Sequence, residues 1–177
     1  MTGSSVVNAD VDAGTFRSVL GHFCSGVTVV AALQGDEPVG LTCQSFFSLS
    51  LDPALVAFSV SRTSTTFPAI REVGSLVINI LGADQEEMSN GFARSGFDKW
   101  AGVEWRPGKV AGHPVINGVV AHLECDIRDV IDAGDHTLVI AEVRHLEARS
   151  GMSDEPAAHP DPLLFYRGRY SRLASDC

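Results

Sequence analysis

Apolar and polar residues along this chain follow mostly a period of two. Val27–Leu33 (VTVVAAL) is β-branched and predicts a strand that turns at Gln34-Gly35-Asp36 and returns through Pro38–Thr42. The stretch Val39–Ser64 reads VGLTCQSFFSLS, meets a corner at Leu51-Asp52-Pro53, and resumes as ALVAFSV into SRTS. Proline cannot continue a central strand, so the corner is placed there. Ser75–Leu81 (SLVINIL) predicts a further strand, with Asn79 as its polar interruption. From Val119 to Val130 the residues alternate, with Val119, Ala121, Leu123, Cys125 and Ile127 on one side and His122, Glu124, Asp126 and Arg128 on the other. That pattern predicts a strand with one wet face. A turn at Asp132–Asp135 sends it back through His136–Leu146 as a long antiparallel hairpin. Leu163–Leu173 reads as a last strand, aromatic and basic.

Helical spacing is confined to short pieces. Phe16, Val19, Leu20 and Phe23 predict a helix after Thr15 as cap, limited by Gly21 and Gly26. Thr65 and Thr66 ahead of Phe67-Pro68 start a second helix that Gly74 stops, and Asp84–Arg94 predicts a third with Asp84 as cap. Residues 97–105 are aromatic and irregular, 109–114 hold turn residues, and 149–162 read as a polar surface loop. Residues 1–11 read as a flexible tail before a single domain over 12–177. About six or seven strands with two or three short helices and no βαβ alternation suit an antiparallel barrel with helices at its ends.

The 177-residue length allows one domain with a real core. A net charge of −9 argues against nucleic acid or an anionic membrane as partner. Met1–Asp12 is polar without an apolar core, and no run approaches the roughly 20 apolar residues of a membrane helix. Four cysteines without CxxC spacing read as reduced thiols in a cytoplasmic protein.

The best-supported chemistry is an anion rim. Ser61-Arg62-Thr63-Ser64-Thr65-Thr66 offers hydroxyls, a guanidinium and the start of the following helix in one place, as a phosphate requires. The same residues could simply end a strand and cap a helix. No GxGxxG or Walker-type motif occurs, so any nicotinamide must dock without a Rossmann domain. Six histidines show no HExxH, HxH or ligand-spaced cluster, and no metal site is expected. His22, His122, His145 and His159 read as surface or rim residues; His136, opening a strand after a Gly-Asp turn, suits a barrel mouth. Cys43 reads as a small buried hydrophobe, and Phe92, Phe97, Trp100 and Trp105 as a satellite core. Arg167, Arg169 and Arg172 suit a solvated edge, a subunit contact or a dinucleotide phosphate. No GxSxG motif or nucleophile with an adjacent base is visible.

Taken in order, Gly26–Val30, Gly40-Leu41-Thr42-Cys43-Gln44-Ser45-Phe46, Ser48–Pro53, Val77–Leu81, Gly134-Asp135-His136 and Phe165–Tyr170 resemble the flavin reductase-like FMN-binding split barrel. More narrowly, they resemble the small NAD(P)H:flavin oxidoreductase components of two-component monooxygenases. The likeness runs from about Phe16 to Leu173 and rests on the ordered set of motifs. It implies a homodimeric, antiparallel, Greek-key-like split β-barrel with a few short helices, and one FMN or FAD per subunit near the dimer interface. Thr42, Cys43, Gln44 and Ser45 would line the isoalloxazine, and Ser59, Ser61, Arg62, Ser64, Thr65 and Thr66 would hold ribityl and phosphate oxygens. Asn79 would sit by the ring, and His136 with Arg169 and Tyr170 would approach the nicotinamide. Relatives commonly carry Ala-Asn where this chain has Cys43-Gln44. The implied reaction is hydride transfer from NADH or NADPH to flavin, with reduced flavin leaving for a monooxygenase. Lack of a dedicated basic pocket favours NADH. A flavoprotein oxidase with retained flavin, or a non-enzymatic flavin- or haem-binding barrel, are the alternatives.

Overall fold

The strand predicted from the VTVVAAL run is Thr28–Gln34, and neither of its faces is wet. Val29 and Ala31 enter one hydrophobic cluster while Val30 and Ala32 enter another, all fully buried. Burial on both sides is why the run is continuously apolar rather than alternating. In the computed structural model, which describes residues 11–96, 98–149 and 160–173, this strand is the second of twelve, accompanied by three helices.

The order begins α1 (Ala13–Leu20), β1 (Ser25–Gly26), β2 (Thr28–Gln34), β3 (Glu37–Cys43), β4 (Phe47–Leu51) and β5 (Ala54–Ser61). It continues α2 (Phe67–Val73), β6 (Ser75–Ile80), α3 (Glu86–Ala93), β7 (Trp105–Pro107) and β8 (Pro114–Ile116). The hairpin β9 (Ala121–Ala133) and β10 (His136–Ala148) follows, then β11 (Leu164–Tyr166) and β12 (Arg169–Ser171).

Seven strands form one antiparallel sheet in the order β3-β2-β6-β9-β10-β5-β4. Its edges, β3 and β4, are separated in sequence by residues 44–46 alone. Laid flat, seven strands would put those edges about 29 Å apart, yet the link reaches at most about 14 Å. The sheet therefore curls until its edges meet, as the split-barrel reading expected. No ladder joins β3 to β5 among the described residues; a side chain spans that seam instead. Ser45 Oγ accepts the Ser59 N–H at 2.7 Å and donates to the Ser59 carbonyl at 3.0 Å, doing for β5 what a neighbouring strand would do.

The barrel interior is filled by Phe58, Leu76, Ile78 and Val139 and closed at one end by Phe67 and Ile70 of α2. A second cluster lies outside the β2–β6 wall, where Val29, Val77 and Leu81 meet Phe92 of α3, Ile116 of β8 and Leu163. Gly40 belongs to this contact: a Cβ there would come within 2.8 Å of Phe92 Cε1 and 3.2 Å of Trp100. The expected aromatic satellite is thus present, with Phe92 and Trp100 edge to face at 4.8 Å and Trp105 beyond.

Several sequence expectations need correction. The cap of α1 is Asp12, whose carboxylate accepts the Thr15 N–H, and α3 starts after Gln85 rather than Asp84. The final basic segment is two strands, because Arg167 and Gly168 both take positive φ, the geometry of a tight hairpin turn. Part of the stretch read as irregular forms the β7–β8 pair. The polar side of β9 is dry at its start: His122 and Glu124 are 3% and 1% exposed. The segment Gly108–Val110 covers them, with the Lys109 and Val110 amides donating to the Glu124 carboxylate, each at 2.7 Å. Gly108 makes that approach possible, since a Cβ would lie 2.6 Å from a Glu124 oxygen. The tail expected over 1–11, all but its last residue, and most of the loop expected over 149–162 lie outside the described residues, as do Phe97 and His159.

Candidate functional site

The seam between β3 and β5 opens into a cleft of about 790 Å³. Its floor is the end of β3 and the link that follows it: Thr42, Cys43, Gln44 and Ser45 all line it. Three of these are fixed by contacts made before any ligand arrives. Thr42 Oγ1 donates to the Ser89 carbonyl of α3 at 2.6 Å, and Ser45 is held by Ser59. Cys43 is 5% exposed, its Sγ 3.2 Å from Ser45 Oγ; burial pushes its thiol pKa up, so it is no thiolate nucleophile.

The rim is the hydroxyl segment after β5. Ser59, Ser61, Ser64, Thr65 and Thr66 line the cleft. Ser61 Oγ lies 2.9 Å from Thr63 Oγ1 and accepts the Thr63 N–H, and Ser64 Oγ takes the Phe67 N–H at the start of α2. The Arg62 amide donates to the Asp135 carbonyl, which ties the rim to the β9–β10 turn. On that turn, His136 pairs across the ladder with Ser61 and faces the same cleft. Its Nδ1 donates to Asp135 Oδ1 at 2.8 Å, and this hydrogen bond, followed by the charge of the imidazole, holds the Asp135 carboxyl below its ordinary value. With Nδ1 so engaged, Nε2 is the nitrogen left to meet a ligand.

The opposite wall comes from elsewhere in the chain. Tyr170 of β12 hangs on α3, its hydroxyl 2.8 Å from Ser89 Oγ and donating to Asn90 Oδ1 at 3.3 Å. Lys99 reaches in from the loop after α3, and nothing in the sequence reading singled it out. Its Nζ donates to the carbonyls of Gly40 and Phe92 and to Thr66 Oγ1, between 3.0 and 3.3 Å. All three partners are neutral, no carboxylate lies within ion-pair distance among the described residues, and desolvation lowers the Lys99 pKa. A half-buried ammonium beside a ring of hydroxyls and lacking a counter-charge is a fitting seat for a phosphate.

Eleven of the fourteen residues expected at the site therefore share one cleft, and three do not. Asn79 is fully buried: its amide donates to the Val29 and Pro114 carbonyls and its oxygen accepts the Ile116 N–H, fastening β8 to the barrel wall. Arg62 turns to the far side of the rim, into a neighbouring groove with Arg71 and Phe67, its guanidinium 4.0 Å from Asp132. Arg169 is exposed on the last hairpin and does not line the cleft.

A family profile described as the flavin reductase like domain matches residues 20–174. The chain belongs to the flavin reductase-like family. Among relatives, the reductase subunit HsaB of a flavin-dependent monooxygenase from Mycobacterium tuberculosis is 43% identical over 167 residues, covering 94% of this chain and 86% of that protein. The FMN reductase (NADH) SmoA of Agrobacterium fabrum is 40% identical over 162 residues, covering 90% and 86%. Among solved flavin reductase-like structures, the NADH:FAD oxidoreductase SgcE6 of Streptomyces globisporus, in complex with NAD and FAD fragments, superposes with a TM-score of 0.83. It is 36% identical, over 93% of this chain and 94% of that one. A homologue of nitrilotriacetate monooxygenase component B from Mycobacterium thermoresistibile also gives 0.83, at 42% identity over 91% and 86%.

Proposed function

We propose that this chain is an NADH-dependent flavin reductase that passes reduced FMN or FAD to a separate flavin-dependent monooxygenase. Relatives named FMN reductase (NADH), NADH:FMN oxidoreductase and monooxygenase reductase subunit support the activity and the nicotinamide. The observation that carries it within the molecule is the Lys99 ammonium, facing only neutral oxygens at the hydroxyl-fringed end of a cleft.

When bound, the flavin supplies the two-electron acceptor for hydride leaving a reduced nicotinamide. The chain's own groups bind and orient. Lys99 with Ser64, Thr65 and Thr66 grips the phosphate, the Thr42–Ser45 segment lines the ring, and Tyr170 walls the cleft. His136 positions the nicotinamide through Nε2. Hydride transfer between two cofactors needs proximity and alignment rather than a protein acid or base, which fits a cleft without a nucleophile–base pair.

We infer that two copies associate through α1 and its surroundings. Among the described residues nothing covers the apolar stripe of α1: Phe16, Val19 and Leu20 are 54%, 63% and 53% exposed, and Phe23 just beyond is 82% exposed. Such a patch is uncommon on a monomer.

Purified protein assayed for NADH oxidation tests the activity. The rate should rise steeply with added free FMN or FAD; a strongly yellow protein indifferent to added flavin would instead favour a retained-flavin redox protein. His136→Ala should raise KM for NADH about tenfold with a smaller effect on kcat, the loss of one hydrogen bond to a ligand. Unchanged NADH kinetics would remove that role.

A further inference from the structure

The tripeptide His-Leu-Glu occurs twice, at 122–124 in β9 and at 145–147 in β10. The antiparallel ladder sets the copies against each other, pairing His122 with Glu147 and Glu124 with His145. Residues two apart on a strand share a face. Four candidate ligands therefore form a square on one side of the hairpin, imidazoles on one diagonal and carboxylates on the other.

Distances and burial single out three of them. One ligand atom each from His122, Glu124 and His145 lies within 4.8 Å of the others, and His122 Nε2 is 4.0 Å from Glu124 Oε1. His122 is 3% exposed and Glu124 1%. The Nε2 atoms of both histidines are buried and have no hydrogen-bond partner among the described residues. One orphaned imidazole nitrogen is already a cost that folded proteins rarely carry. Two beside one carboxylate call for an atom that takes their lone pairs.

The carboxylate is braced, the Lys109 and Val110 amides donating to its two oxygens at 2.7 Å each. These two amides occupy one lone pair on each oxygen and leave others free, the arrangement that orients a metal ligand from behind.

We propose that His122, Glu124 and His145 bind one divalent transition-metal ion of the zinc class, because the paired strands bring two unpartnered imidazoles and one braced carboxylate to a single buried point. Water or Glu147 completes four-fold coordination; Glu147 Oε2 is 3.7 Å from His145 Nε2 and would first give up its contact with Lys109. Mixed nitrogen and oxygen donors favour zinc, cobalt or nickel over calcium or magnesium, which take oxygen. Metal–nitrogen bonds of about 2.0–2.1 Å require the three groups to draw in by roughly an ångström. His145, the least buried, has the room. Arg106 and Lys109 are the nearby cations, and they weaken the site without filling it. His136, at the cleft, begins the strand that carries His145, nine residues and roughly 30 Å away. The ion therefore fastens the far end of the hairpin and takes no part in hydride transfer.

The test uses the full chain stripped with a chelator and titrated with Zn²⁺ by calorimetry and with Co²⁺ by visible absorption. One equivalent should bind per chain, and Zn²⁺ but not Mg²⁺ should raise Tm by several degrees. His145→Gln should weaken binding at least tenfold and leave flavin reductase activity intact, while His22→Gln, at an exposed histidine, should change neither. His122→Gln should behave like His145→Gln; if it does not fold, His145→Gln decides alone. Absence of saturable binding of either ion up to millimolar concentration, or full binding by His145→Gln, would overturn the site and leave an ordered water as the partner of the two rings.

Discussion

Lys99 holds its charge in a place that disfavours it, because among the described residues desolvation is opposed by two carbonyls and a hydroxyl alone. Replacing it by methionine keeps the length and removes the charge. A charge-assisted contact worth about 1.5–3 kcal/mol predicts that Lys99→Met raises the flavin dissociation constant roughly 10- to 100-fold, readable by fluorescence titration. The sign of the pH dependence follows from the direction of the shift. In the free protein Lys99 gives up its proton below the range of an ordinary lysine, so flavin affinity should decline on the alkaline side earlier than a surface lysine would allow, and Lys99→Met should lack that decline. Cys125 titrates in the opposite sense: burial, then Asp126 and Glu124, push its thiol from 9.0 to about 12. Its folded pKa is raised, so its contribution to stability is complete below pH 9 and is lost as pH climbs toward 12. Urea unfolding should show that loss at about 1.4 kcal/mol per pH unit for this one group, and Cys125→Ala, though less stable, should lack it. The hydroxyl rim and the Thr42–Ser45 segment were legible in the sequence because each is a local run beside a strand. Lys99 and Asn79 were not, since their partners stand on elements that only tertiary folding brings near, up to 59 residues away for Lys99 and Gly40.

At the scale of elements, Ser45 makes the shorter and better-directed of the side-chain contacts that hold the seam between β3 and β5. Ser45→Ala removes both hydrogen bonds to Ser59, leaving its amide unpaired and its carbonyl with only the weak Cys43 thiol donor, so it should cost about 1–3 kcal/mol in denaturant unfolding. Ser48→Ala, at an exposed position on β4, should cost far less. Strands were readable from their period, and the hairpins from turns such as Gly35 and Gly134, both at positive φ. The wet face assigned to β9 failed for a physical reason: alternation reports side-chain type, whereas a loop from residues 108–110 decides what water reaches. The final hairpin was read as one strand because an Arg-Gly turn looks like basic strand sequence until its φ angles are known.

At the scale of the molecule, the exposed apolar residues group around α1 and the edge strand β4, where Phe47, Leu49 and Leu51 are also exposed. Light scattering should find a dimer, and Phe23→Asp should shift it toward monomer with a loss of flavin affinity if the cleft is completed across the interface. A dimer that persists in Phe23→Asp would move the contact to β4. The barrel wall has one further consequence. Residues 44–46 belong to no strand, and among the described residues the breach is stitched by side chains, the Ser45 hydroxyl with the Cys43 thiol beside it, rather than by a ladder. Peptide groups that a completed cylinder would have spent on a neighbouring chain segment stay open there. Under the proposed function, a flat heterocycle rich in nitrogen and oxygen slots into the missing rung, and the imperfection in the wall serves as its receptor.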